Sequence, residues 1–358
     1  MSALPLLAHA GPVRVALEGE VRDTWAAYRT VYISADGRVM DYRANAVTTS
    51  EGQAYALLRA LWMDDRSTFD RVHRWTVDNL QGGKPGKLPA WKWGRGEGDA
   101  WGVLDPQPAA DADQVMAWAL VGAGRRWRSS AYAAEGAALV RGIWTGEVQE
   151  VCGRLLLLPG PWARDALPVR LNPSYYLPFA WRDFARVDPD HAWGRLIDDG
   201  YSVLAQCRSP SGLPKDWCYL DDSGAMIPPE DPAHDEFGFE AFRVGWTLAA
   251  EARWHHDRRA RALLGPFLNL LSRPEAPVRI PGIIGADGRA SVDWEYPGMY
   301  GALVPAWAVR RPAAAKAAWS EKLEPLRAAH GWGDPNDYYG QNWIWFGLAL
   351  WQSSGSPV

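Results

Sequence analysis

Apolar residues at helical spacing, recurring at intervals of roughly 30 to 50 residues, constrain this chain more than any other feature of its sequence. Ala54, Leu57, Leu58 and Leu61 follow the i, i+3, i+4, i+7 template within 53–62, and Met116, Ala119, Leu120, Ala123 and Trp127 do so within 113–127. Looser versions cover 173–185 (Tyr176, Phe179, Ala180, Phe184) and 240–254 (Val244, Leu248, Trp254). The tail "QNWIWFGLALW" (341–351) is apolar almost all round, which predicts a buried helix. Strand-like alternation is scarce. "TVYISADGRVMDY" (30–42) is the best case, a hairpin-like piece turning at Asp36-Gly37. Long Gly- and Pro-rich loops, 81–102 and 272–288, separate the helical segments, and no charge block or low-complexity linker divides the chain. One mostly helical domain over 1–358 is expected, with long loops that carry function.

Composition narrows the function. A net charge of −4 offers no basic footprint, so nucleic acid is not an expected partner. No run of 18 apolar residues exists to span a membrane. The 22 Trp and 13 Tyr are unusual. Trp suits both core packing and stacking on sugar rings; most should be core, with about a quarter lining a cleft. Ala8-His9-Ala10 has the A-x-A form of a signal-peptide cleavage site, although no positive region precedes it. Cys152, Cys207 and Cys218 have no metal-like spacing and leave their redox state open.

Carboxylates recur at predicted helix starts. Thr48-x-x-Glu51 fits a capping box, as does Asp111 with Gln114. Asn172 followed by Pro173 is a standard helix opening, and Glu240 opens another helix with Arg243 one turn on. Each alone is explained by capping and the helix dipole. Parallel inner helices of a helical barrel, however, would bring such N-termini to one rim. Acids distant in sequence would then face each other across an aromatic-lined cleft, which glycosidic cleavage needs: one acid donates to the leaving oxygen, and one base activates water.

With those residues in view, the sequence resembles the family 8 glycoside hydrolases, and within them the endoglucanases that accompany bacterial cellulose synthesis. "DGRVMDY" with "TTSEGQAYALLRALWMDDRSTFDRVHRWTVDNL" (36–42, 48–80) is similar to the acid-bearing stretch. "LPAWKWG" (88–94) and "WGVLDPQPAADADQVMAWALVGAGRRW" (101–127) match the second signature, except that Ala110 stands where that signature has Ser or Thr. "LLLLPGP", "LNPSYYLP" and "SGLPKDWCYLDDSG" continue in the family's order, so the likeness runs from about residue 25 to 260. It implies an all-α (α/α)6 barrel and inverting, endo-acting hydrolysis of a β-1,4-linked polysaccharide or oligosaccharide. It also implies no metal or cofactor, a monomer, and a secreted or periplasmic location. Glu51 would be the general acid, and Asp111 would hold the sugar at the cleavage point. Asp113 would support the helix. Tyr175, Trp91, Trp93 and Trp101 would line the glycan cleft, and Arg243 would orient the base or contact sugar.

One position departs from the resemblance. The family's usual Tyr-Asp-Ala-x-Arg, with Asp as base, reads Phe239-Glu240-Ala241-Phe242-Arg243 here. A carboxylate moved by about 1 Å can cost on the order of 10²-fold in rate. Glu240 is the expected base, with Asp235 and Glu236 as alternatives. A weakly catalytic glycan-binding protein is the competing reading. Chitosan, mixed-linkage β-glucan and xylan are alternative substrates.

Overall fold

The computed structural model describes residues 19–270, 279–353, 355, 356 and 358. Ala8-His9-Ala10 and residues 272–278 of the second long loop lie outside them. Thirteen helices follow one another among the described residues. They are α1 (Gly19–Tyr32), α2 (Ser50–Trp62), α3 (Arg66–Asn79), α4 (Ala110–Arg126), α5 (Ser130–Glu147), α6 (Pro178–Val187) and α7 (Trp193–Gln206). Then come α8 (Phe242–Trp254), α9 (Arg258–Leu263), α10 (Gly265–Asn269), α11 (Pro297–Ala308), α12 (Pro312–Lys322) and α13 (Tyr338–Gln352).

Burial sorts these helices into two layers. In α2, α8, α11 and α13 nearly every residue is buried, whereas α3, α5 and α7 bury one stripe. A helix apolar all round must be enclosed; an amphipathic one can face water. The inner ring runs α2, α4, α6, α8, α11, α13, each packed on the next. α13 closes on α2 through Arg59 Nη1 donating to Asn342 Oδ1 at 3.0 Å and Tyr55 set edge-on to Phe346. The outer helices return the chain between inner ones, which makes an (α/α)6 barrel. More than half of the tryptophans are buried, and Trp62, Trp246, Trp254, Trp343 and Phe346 interlock inside the ring. None of the helices is long and apolar enough to cross a membrane.

Helix starts differ from the sequence expectation by one or a few residues. Thr49, not Thr48, caps α2, accepting the Gly52 N–H at 3.0 Å. The Thr48 hydroxyl instead donates to Val39 O at 2.6 Å. The bond to Val39 thus takes the Thr48 hydroxyl away from the helix start, and the Glu51 side chain is left out of a capping box. Ala109 occupies the N-cap of α4, so Asp111 is the helix's second residue rather than its cap. Asn172 caps only a short 3-10 turn, Pro173–Tyr175, and α6 begins at Pro178. The 30–42 piece shrinks to an Ile33–Val39 bridge around Gly37 (φ +104°), because Thr30–Tyr32 finish α1.

Three short strands form one wall above the barrel: β1 (Thr48–Thr49), β2 (Lys92–Arg95) and β3 (Trp101–Asp105), antiparallel in that order. The β2–β3 ladder carries a bulge between Lys92 and Trp93. Cys207, at the end of α7, is disulfide-bonded to Cys218 (Cα–Cα 5.8 Å), leaving Cys152 outside the bridge.

Candidate active site

The N-termini of the inner helices converge on one rim, as the recurrence of acids there anticipated. They surround a cavity of about 370 Å³ lined by Asp41, Glu51, Trp91, Asp111, Tyr175, Glu240, Tyr338 and Tyr339, among others. α2 brings Glu51, α4 Asp111, and α13 the two tyrosines. Glu240 sits in the turn that leads into α8.

Arg243 organises the acids. Its side chain is only 3% exposed. Nη1 donates to Asp111 Oδ2 at 3.0 Å and to Glu51 Oε2 at 3.4 Å, while Nη2 holds Glu240 Oε2. The guanidinium also lies over the Tyr175 ring, 5.3 Å from its centroid. Three carboxylates therefore share one buried cation, with Glu51 and Glu240 on its two different arms.

The two glutamates have opposite surroundings. Glu51 Oε1 accepts from the Tyr338 hydroxyl at 2.5 Å, and Oε2 from Tyr55 at 3.3 Å. Burial, and then the negative charge of Asp111, push its carboxyl up to about 7 against the pull of Arg243 and both tyrosines. One fifth of the side chain remains open to the cavity. Glu240 Oε2 accepts from Asn172 Nδ2 at 2.9 Å and Ser174 Oγ at 3.2 Å as well as from Arg243. Oε1 takes no hydrogen bond from any described residue.

Asp216 fixes the turn that carries Glu240. Its Oδ1 accepts the backbone N–H groups of Gly238 (3.0 Å), Glu240 (3.2 Å) and Ala241 (2.7 Å), and burial pushes its own carboxyl up to about 6. Asp113 lies under the site, fully buried against Glu147. Burial raises both carboxyls, and a proton held between them would satisfy oxygens that no other described group reaches.

The family 8 model of the glycosyl hydrolases matches residues 13–272. An endoglucanase of Salmonella typhi is 41% identical over 273 residues, spanning 75% of this chain and 73% of that protein. The chain belongs to family 8 of the glycosyl hydrolases. An Escherichia coli K12 endoglucanase is 40% identical over 212 residues, 58% of this chain and 56% of its own length. The chain thus matches little more than half of that relative's length. The crystal structure of a Vibrio fischeri endo-1,4-D-glucanase superposes with a TM-score of 0.80 at 29% identity, covering 92% of this chain and 94% of that one.

Not every sequence candidate meets in this family 8 cavity. Glu51, Asp111, Glu240, Tyr175 and Trp91 do, and Arg243 lies buried behind the three acids it holds. Trp93 and Trp101 line a separate hollow beyond the bulge, where Trp93 packs on Trp75, Leu80 and Ala90. Asp235 is paired with Lys215, and Glu236 accepts from Ser291 Oγ at 2.8 Å; neither lines the cavity. Sequence reasoning missed Tyr55, Tyr338, Tyr339 and Asp216 as site residues. The tyrosines belong to helices that read as core. Asp216, in "PKDW", has no spacing relation to the helix it anchors.

Proposed function

We propose that this chain hydrolyses internal bonds of β-1,4-linked glucan with inversion. Glu51 protonates the leaving glycosidic oxygen, Glu240 activates a water on the opposite side, and Asp111 holds the sugar at the cleavage point. The observation that carries this reading is the pair of contrasting carboxyls. One is raised to about 7 and keeps its proton near neutrality. The other is anchored through Oε2, with Oε1 left for water. Family 8 membership and the endoglucanases among the relatives support the substrate class. The wall-to-wall cavity residues, from Asp41 to Tyr339, support one catalytic unit. The Cys207–Cys218 bridge supports an oxidising, secreted or periplasmic setting.

No carbon is left behind on the enzyme in this scheme. Water adds to the anomeric carbon and gives its proton to Glu240 as the carbon–oxygen bond breaks. The departing oxygen takes the proton of Glu51. The test is NMR of the first product from cello-oligosaccharides, where the α-anomer is expected; a β-anomer at first release overturns inversion. Glu51→Gln should lower kcat by on the order of 10³-fold with oligosaccharide binding retained.

A further inference from the structure

We propose that the outer side of the β2–β3 wall is a second β-1,4-glucan-binding site, separate from the catalytic cavity. The substrate class rests on the reading above. Trp101 is 51% exposed, the most exposed tryptophan of the chain. Its ring stacks on Trp93 with centroids 5.2 Å apart, and Trp93 meets Trp75 edge-on at 5.1 Å. The Arg38 guanidinium lies 4.7 Å from the Trp93 centroid and 4.6 Å from that of Trp101. Arg38 is itself held by Thr48 Oγ1, which accepts from its Nε at 2.9 Å. The exposed ring is therefore fixed from beneath and beside. Little ordering remains to be done when a ligand lands on it.

The hollow beside these rings measures about 640 Å³ and reaches the surface of α3. Arg74 and Asp78, one turn apart on that helix, are exposed on its rim, and neither side chain has a hydrogen bond or ion pair with a described residue. A β-linked glucose unit presents axial C–H bonds on its faces and hydroxyls round its edge. A flat ring with free donors and acceptors at its side matches both. An apolar protein surface would bury Arg74 and Asp78 without partners, which is costly. A bulge raises local twist and re-aims side chains. Here it falls between Trp91, in the cavity, and Trp93, in the second hollow. One short wall thus offers a ring to a polysaccharide on either side, and a long insoluble chain can be held outside the cavity while another stretch is cut.

The test is depletion of the full chain onto regenerated amorphous cellulose in the Glu51→Gln background, which binds without cutting. Trp101→Ala should weaken binding by about five-fold or more, and Arg74→Ala combined with Asp78→Ala, on an exposed helix face, should weaken it in the same direction. In the otherwise native enzyme, activity on insoluble glucan should fall several-fold more than activity on cellotetraose. Binding unchanged in both variants overturns the second site, as does an equal loss on the two substrates. A change in sedimentation without a change in cellulose binding would mark the patch as a self-association surface and overturn it too. Absence of any oligosaccharide release by the native enzyme would instead sink the hydrolase reading, while the depletion assay would still report on Trp101.

Discussion

At the scale of single residues, Glu51 is set by opposed neighbours, and each can be removed separately. Asp111 raises its carboxyl, whereas the hydrogen bonds from Tyr338 and Tyr55 lower it. An acid catalyst must be protonated, so activity should fall as pH rises through about 7, the value to which the site pushes Glu51. Asp111→Asn removes the raising charge, so the alkaline limb of kcat/KM should move to lower pH. Tyr338→Phe removes a bond that favours the ionised form, so the limb should move to higher pH. Initial-rate profiles on a soluble glucan check both; shifts in the same direction would refute Glu51 as the titrating acid. Glu240 supports a second prediction. Its longer arm is matched to Asn172 and Ser174, at 2.9 and 3.2 Å, so Glu240→Asp should withdraw the carboxylate from them. Turnover should drop by about ten- to a hundred-fold. A rise in turnover would instead favour the weakly catalytic reading, in which this glutamate is a damaged base.

At the scale of elements, five of the six inner helices were legible, because apolar residues at helical spacing or all round marked them; α11, buried on every side and carrying Pro305, was not read as a helix. Their starts were not legible to the residue. Thr48 and Thr49 are equivalent caps in a one-dimensional reading, and only the tertiary bond of the Thr48 hydroxyl to Val39 O distinguishes them. Nor could periodicity reveal how closely helices approach. α11 and α13 cross at Gly301 and Gly347, where a Cβ on Gly347 would lie 1.8 Å from the Gly301 carbonyl oxygen. Pro305, four residues on in α11, has no N–H to bond that carbonyl, so the oxygen is left facing the neighbouring helix. Backbone atoms cannot move aside as a flexible side chain can. Gly347→Ala should therefore destabilise by about 2 kcal/mol or more, read as a Tm lowered by several degrees in calorimetry. An unchanged Tm would mean that the two helices can separate freely at this crossing.

At the scale of the whole molecule, the convergence of acids on one rim followed from a barrel whose alternate helices run the same way, and so the sequence could announce it. The division of the tryptophans could not be read this way: Trp91, Trp93 and Trp101 lie within one loop-rich stretch, yet a bulge and a hairpin send them to different hollows. Building acids into a buried rim has a consequence for stability as a function of pH. Burial pushes Glu51 up to about 7 and Asp216 up to about 6, and raises Asp113 and Glu147 as well. An acid whose pKa is higher folded than unfolded holds its proton in the native state after the unfolded chain has released it. Its stabilising contribution is complete below the unfolded value and is lost as pH rises through the folded one. Asp257 acts oppositely: bonds from Arg259 outweigh its burial and bring it down to about 2, so its contribution is lost only in strong acid. Stability should accordingly peak on the acid side of neutrality, with Tm at pH 5 exceeding Tm at pH 8 by about 3 °C or more. Asp113→Asn should flatten that slope by removing one of the raised carboxyls. A Tm that climbs from pH 5 to pH 8 would mean these carboxyls are ionised at neutrality, and the protonated Glu51 on which the proposed acid catalysis depends would go with them.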